Sequence, residues 1–354
     1  MIVLSRYVSR TVISAMLLVL FLLLGLDMVF SFIAELEDLS ATYRVPQALL
    51  YILLTAPRRA YDMLPIAALV GGMAGLGMLA THSELTVMRG AGVSIRRIVW
   101  WVLKPSLVLV VAGLLLSQYV VPHSEKMAES RRAIAQGKQV SDNSFRYYWH
   151  REGTEIMRVG TVETAGTLRD LAFFRFDAAG QLQSGLKVRE AHFDGNGWEL
   201  RDLVETKLES DGSSTVVHYE REPWSSRLSP DYLRMVTLNP EYLSLTSLYE
   251  YAGYLKQQGL GADVYFLEFW KKALAPLATI SMVLIACSFI FGPLRSVTMG
   301  LRILTGVLAG LLFRYGQDFL GYASLVYDFS PLLAAGLPIG LSLLLGGVAI
   351  IRVK

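Results

Sequence analysis

Six apolar stretches fall at 12–33, 62–81, 98–121, 273–291, 301–326 and 332–351. Each is near the roughly 20 residues that a helix needs to cross a hydrocarbon layer. They divide three and three about a polar insert that runs from His123 to Trp270. Inside the insert the apolar period changes from helical to alternating. Segments 155–163, 171–177, 185–193, 198–208 and 214–221 are short and rich in Val, Phe, Thr and Tyr, with turn residues between them. Such a series predicts an antiparallel sandwich or jelly roll. Asp194, Gly195, Asn196 and Gly197 before Trp198 are its clearest hairpin signal. Two polar helices, 124–136 and 247–257, are expected to join the insert to the spans. The predicted architecture is an α-helical polytopic membrane protein with six transmembrane helices arranged 3+3 and an inserted all-β, jelly-roll-like domain. Its expected parts are 1–123, with spans one to three and a short helix near 82–91; 124–270, with the β domain and its linker helices; and 271–354, with spans four to six.

Composition agrees with that pattern. Of 354 residues, 53% are hydrophobic and 18% charged, and the mean hydropathy is +0.43; a soluble domain carries about 25% charged residues. The net charge of +3 is too small to point to nucleic acid. Cys287 is the lone cysteine, so the insert is expected to fold on a hydrophobic core without an internal disulfide. Orientation follows from lysine and arginine near the span ends. Arg6, Arg10, Arg89, Arg96, Arg97, Arg295, Arg302, Arg352 and Lys354 mark one side, and Glu35, Glu37, Asp38 and Asp328 the other, with Arg44, Arg58 and Arg59 as exceptions. Both termini are therefore expected in the cytoplasm and the insert outside it. The N-terminal stretch is long and lacks a small-residue cleavage site, which predicts a retained span and not a removed signal. Residues 1–10 read as a short interfacial helix feeding span one. Residues 45–57, cut by Pro57, Arg58 and Arg59, read as a helix lying at the outer interface.

No phosphate-binding G-x-x-x-x-G-K-[ST] is present, nor H-E-x-x-H or G-x-S-x-G, so no catalytic residue and no cofactor of its own are expected in this chain. His150, His192 and His218 are scattered and read as ordinary strand residues, without metal-ligand spacing. Ionisable groups inside spans are costly and are functional candidates; here they are Asp27, Lys104, Arg314 and Asp318. Arg314 and Asp318 lie four apart on one helix face and can pair. Lys104, near the cytoplasmic face, is placed to snorkel. Asp27 has no partner in its own helix and is expected to face a neighbouring helix or a wet cavity. Between spans two and three, Ser83 is expected to cap a helix with Glu84 in its first turn. Leu85 and Met88 fall on one face, Arg89 follows, and Gly90 and Gly92 can end the helix. An apolar knob and an acid between two rigid spans suit docking into a partner's groove.

Gly75, Leu76, Gly77, Met78, Leu79 and Ala80 run into Ser83, Glu84, Leu85, Thr86, Val87 and Met88, with Gly90, Ala91 and Gly92 beyond; Ser288 to Ser296 and then Met299 and Gly300 close span four. In these motifs, and in layout over essentially its whole length, the chain resembles the LptF/LptG permeases of the lipopolysaccharide exporter. The resemblance implies a subunit that pairs with an LptF-like sibling permease and rests on an LptB-like ATPase pair, with ATP and Mg on those partners. The complex draws lipopolysaccharide from the inner membrane of a Gram-negative bacterium and passes it through periplasmic jelly rolls to LptC-like and LptA-like bridge proteins. The helix after span two becomes the coupling helix, with Glu84, Leu85, Met88 and Arg89 as its contact residues. Spans one and five, carrying Asp27, Ser31, Arg314 and Asp318, line the lipid gate. Arg132 keeps a position at which family members contact lipid phosphate. A lysine that some members carry late in span one is Ser31 here, which shifts the expected cationic rim to Arg58, Arg59, Arg131 and Arg132.

The physical demands of such cargo agree. A phosphorylated amphiphile with several acyl chains needs apolar walls, a cationic rim and an apolar path beyond the membrane. Phe173, Phe174, Phe176, Phe193, Trp198 and Trp224 are candidates for that path, or for ordinary sandwich core. A polytopic receptor or assembly scaffold with a protein-binding insert is the alternative; an ion-coupled carrier using Asp27 and Asp318 lacks an inverted repeat.

Overall fold

The computed structural model describes residues 2–40, 42–136, 148–152, 154–162, 167–177, 180–194, 197–208, 213–224, 239–257, 261–292 and 297–352. Two compact units emerge, one of Met1–Leu39, Val45–Glu129 and Pro240–Lys354, the other of Ser40–Arg44 and Ser130–Asn239.

The first unit is helical. Its elements are α1 (Ile2–Glu35), α2 (Val45–Thr81), α3 (Glu84–Gly90), α4 (Ile95–Leu115) and, through a π-helical turn over Leu116–Val120, the part of α5 (Val121–Ala135) up to Glu129. After the insert come α6 (Leu245–Gln257), α7 (Asp263–Phe291), α8 (Met299–Tyr327) and α9 (Pro331–Arg352). Among the described residues, six helical stretches are long and apolar enough to cross a membrane. The two anticipated interfacial segments are corrected here. Residues 2–10 are not a separate helix but the first turns of α1, and 45–57 is continuous with span two through Pro57 and Pro65. Each proline removes one backbone donor, a loss that neighbouring helices and local adjustment absorb in a bundle. At 37 residues, α2 is about 55 Å long against a hydrocarbon layer of about 30 Å, so it extends well past the apolar slab.

Helix α2 is the spine of this unit: 78% of its most apolar window is buried, against 17% for both α1 and α8. The contact between α1 and α2 is backbone-close. A Cβ on Gly71 would collide with the Met16 backbone, and one on Gly75 would meet Val12 Cα at 2.9 Å. Small residues four apart let two helices approach to this depth. Val8, Val12, Met16, Leu69, Met73, Leu76, Met282, Val283 and Cys287 fill the core around that line.

The inserted domain is all-β, as expected. Strands β1 (Tyr148–Glu152), β2 (Glu155–Val162), β3 (Thr167–Phe176), β4 (Leu182–Phe193), β5 (Trp198–Leu208) and β6 (Ser214–Trp224) form one sheet in sequential order, each neighbouring pair antiparallel. The hairpin expected before Trp198 is present: Phe193 pairs with Trp198, and the Asp194 N–H donates to the Gly197 carbonyl at 3.1 Å. Strand β1 has no counterpart in the anticipated series.

A crease crosses the sheet. Gly160, Asp170, Arg189, Asp202 and Glu220 stand opposite one another, and the ladder skips each pair without losing register. Asp170 and Asp202 are left-handed, each with φ of 54°, a conformation that aspartate tolerates better than most residues. The crease shifts the in–out alternation, so that Leu168 and Leu171, Val188 and Ala191, and Leu200 and Leu203 are all buried. Phe173 and Trp198 are fully buried as well, which makes them core residues. Phe174, Phe176, Phe193 and Trp224 are half-buried.

Candidate functional site

Ser83, a left-handed residue with φ of 61°, turns the chain sharply from α2 into α3. It makes no side-chain cap; its carbonyl instead accepts from the Thr86 and Val87 N–H groups at 3.1 and 3.0 Å. That corrects the expected capping role, because a side chain launched from this backbone does not lie over the first turn. A second correction concerns Leu85 and Met88. They do share a face, but it points into the protein's own core beside Val93 and Ile98, leaving each about as buried as the membrane helices' interior, at 5% and 6% exposed. The outward face carries Thr86 and Val87, the latter 69% exposed. Glu84 and Arg89 are half-buried at its edge. The Tyr7 hydroxyl of α1 donates to Glu84 Oε1 at 3.2 Å.

A second group of polar residues lies within the helical unit, where α2, α4, α7 and α8, with Val121 of α5 and Glu241 of the 3-10 turn Pro240–Tyr242, line a partly open cavity of about 360 Å³. Leu64, Ile66, Val110 and Phe313 supply apolar wall, and Arg58, Asp62, Glu241, Glu268, Lys271, Lys272, Arg314 and Asp318 supply charge. Arg58 Nε donates to Glu125 Oε1 at 2.8 Å and its Nη1 to Asp62 at 3.4 Å, while the guanidinium lies 5.4 Å from the Tyr242 ring centroid. Lys271 holds Glu268 at 3.0 Å and Asp318 at 3.7 Å. Lys272 donates to the carbonyls of Glu241 and Leu243 at 2.8 and 2.7 Å. The anticipated pairing of Arg314 with Asp318 does not form among the described residues. Lys271, reaching across from α7 between two carboxylates, takes Asp318 instead, and Arg314 lines the cavity.

Asp27 faces a neighbouring helix, as its lack of a partner within α1 required. Arg59 of α2 reaches Asp27 at 2.6 Å and also donates to Ser31 and, at 3.1 Å, to Thr55. Of the expected cationic rim, Arg58 and Arg59 are thus already matched by carboxylates. Arg131 is exposed and Arg132 half-buried on α5. Lys104 is exposed on α4. Residues 293–296 of the second motif lie outside the described residues.

Sequence reading missed Asp62, Glu125, Glu268, Lys271 and Lys272. One signal was available: α7 begins at Asp263, ten residues before the apolar run, and Glu268 and Lys271 already sit three apart on it.

The family model for the lipopolysaccharide export system permease LptF/LptG matches residues 6–352. The lipopolysaccharide export system permease protein LptG of Escherichia coli K12 is 33% identical over 339 residues, covering 95% of this chain and 94% of that protein. The protein of the same name from Haemophilus influenzae is 33% identical over 338 residues, with 95% and 94% covered. With both motifs in place along a three-plus-three helical unit and an inserted β domain, the chain belongs to the LptF/LptG family of lipopolysaccharide export system permeases.

Proposed function

We propose that the chain is an LptG-type permease subunit of an ATP-driven exporter that draws lipopolysaccharide from the inner membrane and passes it toward the outer membrane. One observation carries this reading: the family match extends along residues 6–352, through both halves of the helical unit and the β domain between them. The chain itself is non-catalytic, and hydrolysis of ATP with Mg belongs to an LptB-like ATPase pair. An LptF-like sibling covers part of the open faces of α1 and α8, whose apolar windows the chain leaves largely unburied. The multi-pass helical unit sits in the inner membrane with both termini cytoplasmic, which follows from the basic residues at those ends. The β domain is then periplasmic and hands lipid to LptC-like and LptA-like bridge proteins.

Within this reading α3 is the coupling helix. Glu84, Val87 and Arg89 meet the ATPase, while Leu85 and Met88 hold the helix to the spans. Asp27, Ser31, Arg314 and Asp318 lie along the lipid gate. Arginine forks at Arg58, Arg59, Arg131 and Arg132 suit phosphate. At Arg58 and Arg59 the phosphate displaces Glu125 and Asp27, so lipid binding there is an exchange of anions and not the filling of a bare cation. Affinity purification in mild detergent is the test. Recovery of an ATPase and a sibling permease, with hydrolysis that responds to lipopolysaccharide, is the expected result. A chain recovered alone, or with periplasmic proteins only, overturns the reading in favour of a scaffold.

A further inference from the structure

The two most open spans, α1 and α8, are each pinned near both ends by a polar contact. Near one end of α1, Tyr7 donates to Glu84 at 3.2 Å; toward the other, Asp27 accepts from Arg59 at 2.6 Å. Tyr7 and Asp27 are twenty positions apart, which corresponds to about 30 Å of helix. In α8, Arg302 Nη1 donates to the Gly77 carbonyl at 3.2 Å, and Asp318 lies 3.7 Å from Lys271. Arg302 is only 4% exposed. A Cβ on Gly77 would meet Met299 at 3.0 Å and Arg302 at 3.3 Å, so the glycine is what lets α8 start against the end of α2. Gly77 and Glu84 flank one corner, the tight turn at Ser83 between α2 and α3. The cytoplasmic ends of both open spans are therefore fastened to the same few residues.

We infer that Tyr7 and Arg302 are positioning residues that tie α1 and α8 to the α2–α3 corner, so that a displacement of α3 is passed to both open spans together. The inference rests on the reading of α3 as the ATPase contact. A carboxylate has two oxygens and about four acceptor sites. Tyr7 occupies Oε1 of Glu84, which fixes the rotamer and leaves Oε2 for a donor on the ATPase. Leu85 and Met88, buried beneath, keep α3 from sliding independently of the spans. A short helix joined to the core by apolar anchors, at a corner that is hydrogen-bonded to two weakly packed spans, moves as one body with them.

The test uses the full complex in proteoliposomes and measures lipopolysaccharide released per ATP hydrolysed. Tyr7→Phe keeps the ring and removes the hydroxyl. It is expected to leave hydrolysis near wild type while lipid released per ATP falls roughly three- to tenfold, the range for losing one ordinary, exposed hydrogen bond. Arg302→Met is expected to lower the same ratio, and Arg302→Lys, which keeps a cationic donor, to recover most of it. If Tyr7→Phe and Arg302→Met move as much lipid per ATP as wild type, the inference fails. It fails too if hydrolysis and release fall in proportion, which marks weaker docking and not lost transmission. A wild-type complex that hydrolyses ATP without releasing lipid is a different result: it removes the permease reading itself.

Discussion

Glu125 is fully enclosed, accepts from Arg58 through one oxygen and has its second oxygen without a described hydrogen-bond partner. Removing the guanidinium leaves a buried carboxylate uncompensated, which costs about 3–5 kcal/mol when one member of a buried pair is deleted. Arg58→Met is accordingly expected to unfold well below wild type in a detergent melt. The double variant Arg58→Met with Glu125→Leu should return to wild-type stability or exceed it, because two apolar side chains replace the pair. A single variant as stable as wild type would show that Arg58 contributes nothing there. Such residues are legible in the sequence only as anomalies. Arg58 and Arg59 broke the charge rule at the wrong end of a span, and Asp27 had no mate on its own helix; both oddities announced partners without naming them. Glu125 lies 67 positions from Arg58, and only the fold brings the two together.

At the scale of elements, the glycines of the first family motif acquire a physical reason. Gly75 faces Val12 across the α1–α2 contact at backbone distance, so Gly75→Leu must push the helices apart. Overpacking of this kind costs about 1–3 kcal/mol. Gly25→Leu, with nothing within 4 Å of its Cβ position, should cost none of that, and cysteine crosslinking between α1 and α2 should weaken only in the first variant. Equal effects of the two would count against a packing role for the motif. Hydropathy located every span but shortened most of them, because charged residues such as Lys271 and Arg58 end an apolar window without ending a helix. Periodicity placed Leu85 and Met88 correctly on one face. It could not say whether that face turns toward a partner or toward the spans, since both choices bury the same side chains. The sheet crease was invisible for a related reason: the alternation resets at a backbone conformation, and Asp170 and Asp202 carry no mark in composition that separates them from turn residues.

For the whole molecule, the three-plus-three layout, the charge asymmetry and the β insert were all written in the order of apolar and polar segments. The cavity was not. Its walls come mainly from α2, α4, α7 and α8, so no window of sequence contains it. Phe319 of α8 and Leu344 of α9 are similarly exposed, at 72% and 67%, and both are apolar; they separate a lipid route from a generic membrane surface. Photo-crosslinkers at Phe319, on the open span that also lends Asp318 and Arg314 to the cavity, should capture lipopolysaccharide, and the yield should fall as ATP drives release. Crosslinkers at Leu344 should capture bulk lipid with no response to ATP. The contrast is needed because exposure alone cannot distinguish the two helices: a face left open for cargo and a face left open for solvent lipid have the same apolar composition. What differs is charge within reach: α8 carries Arg314 and Asp318 beside Phe319, where α9 carries none before Arg352. Captures at the two sites that respond to ATP alike would mean that this charge has no part in choosing the route.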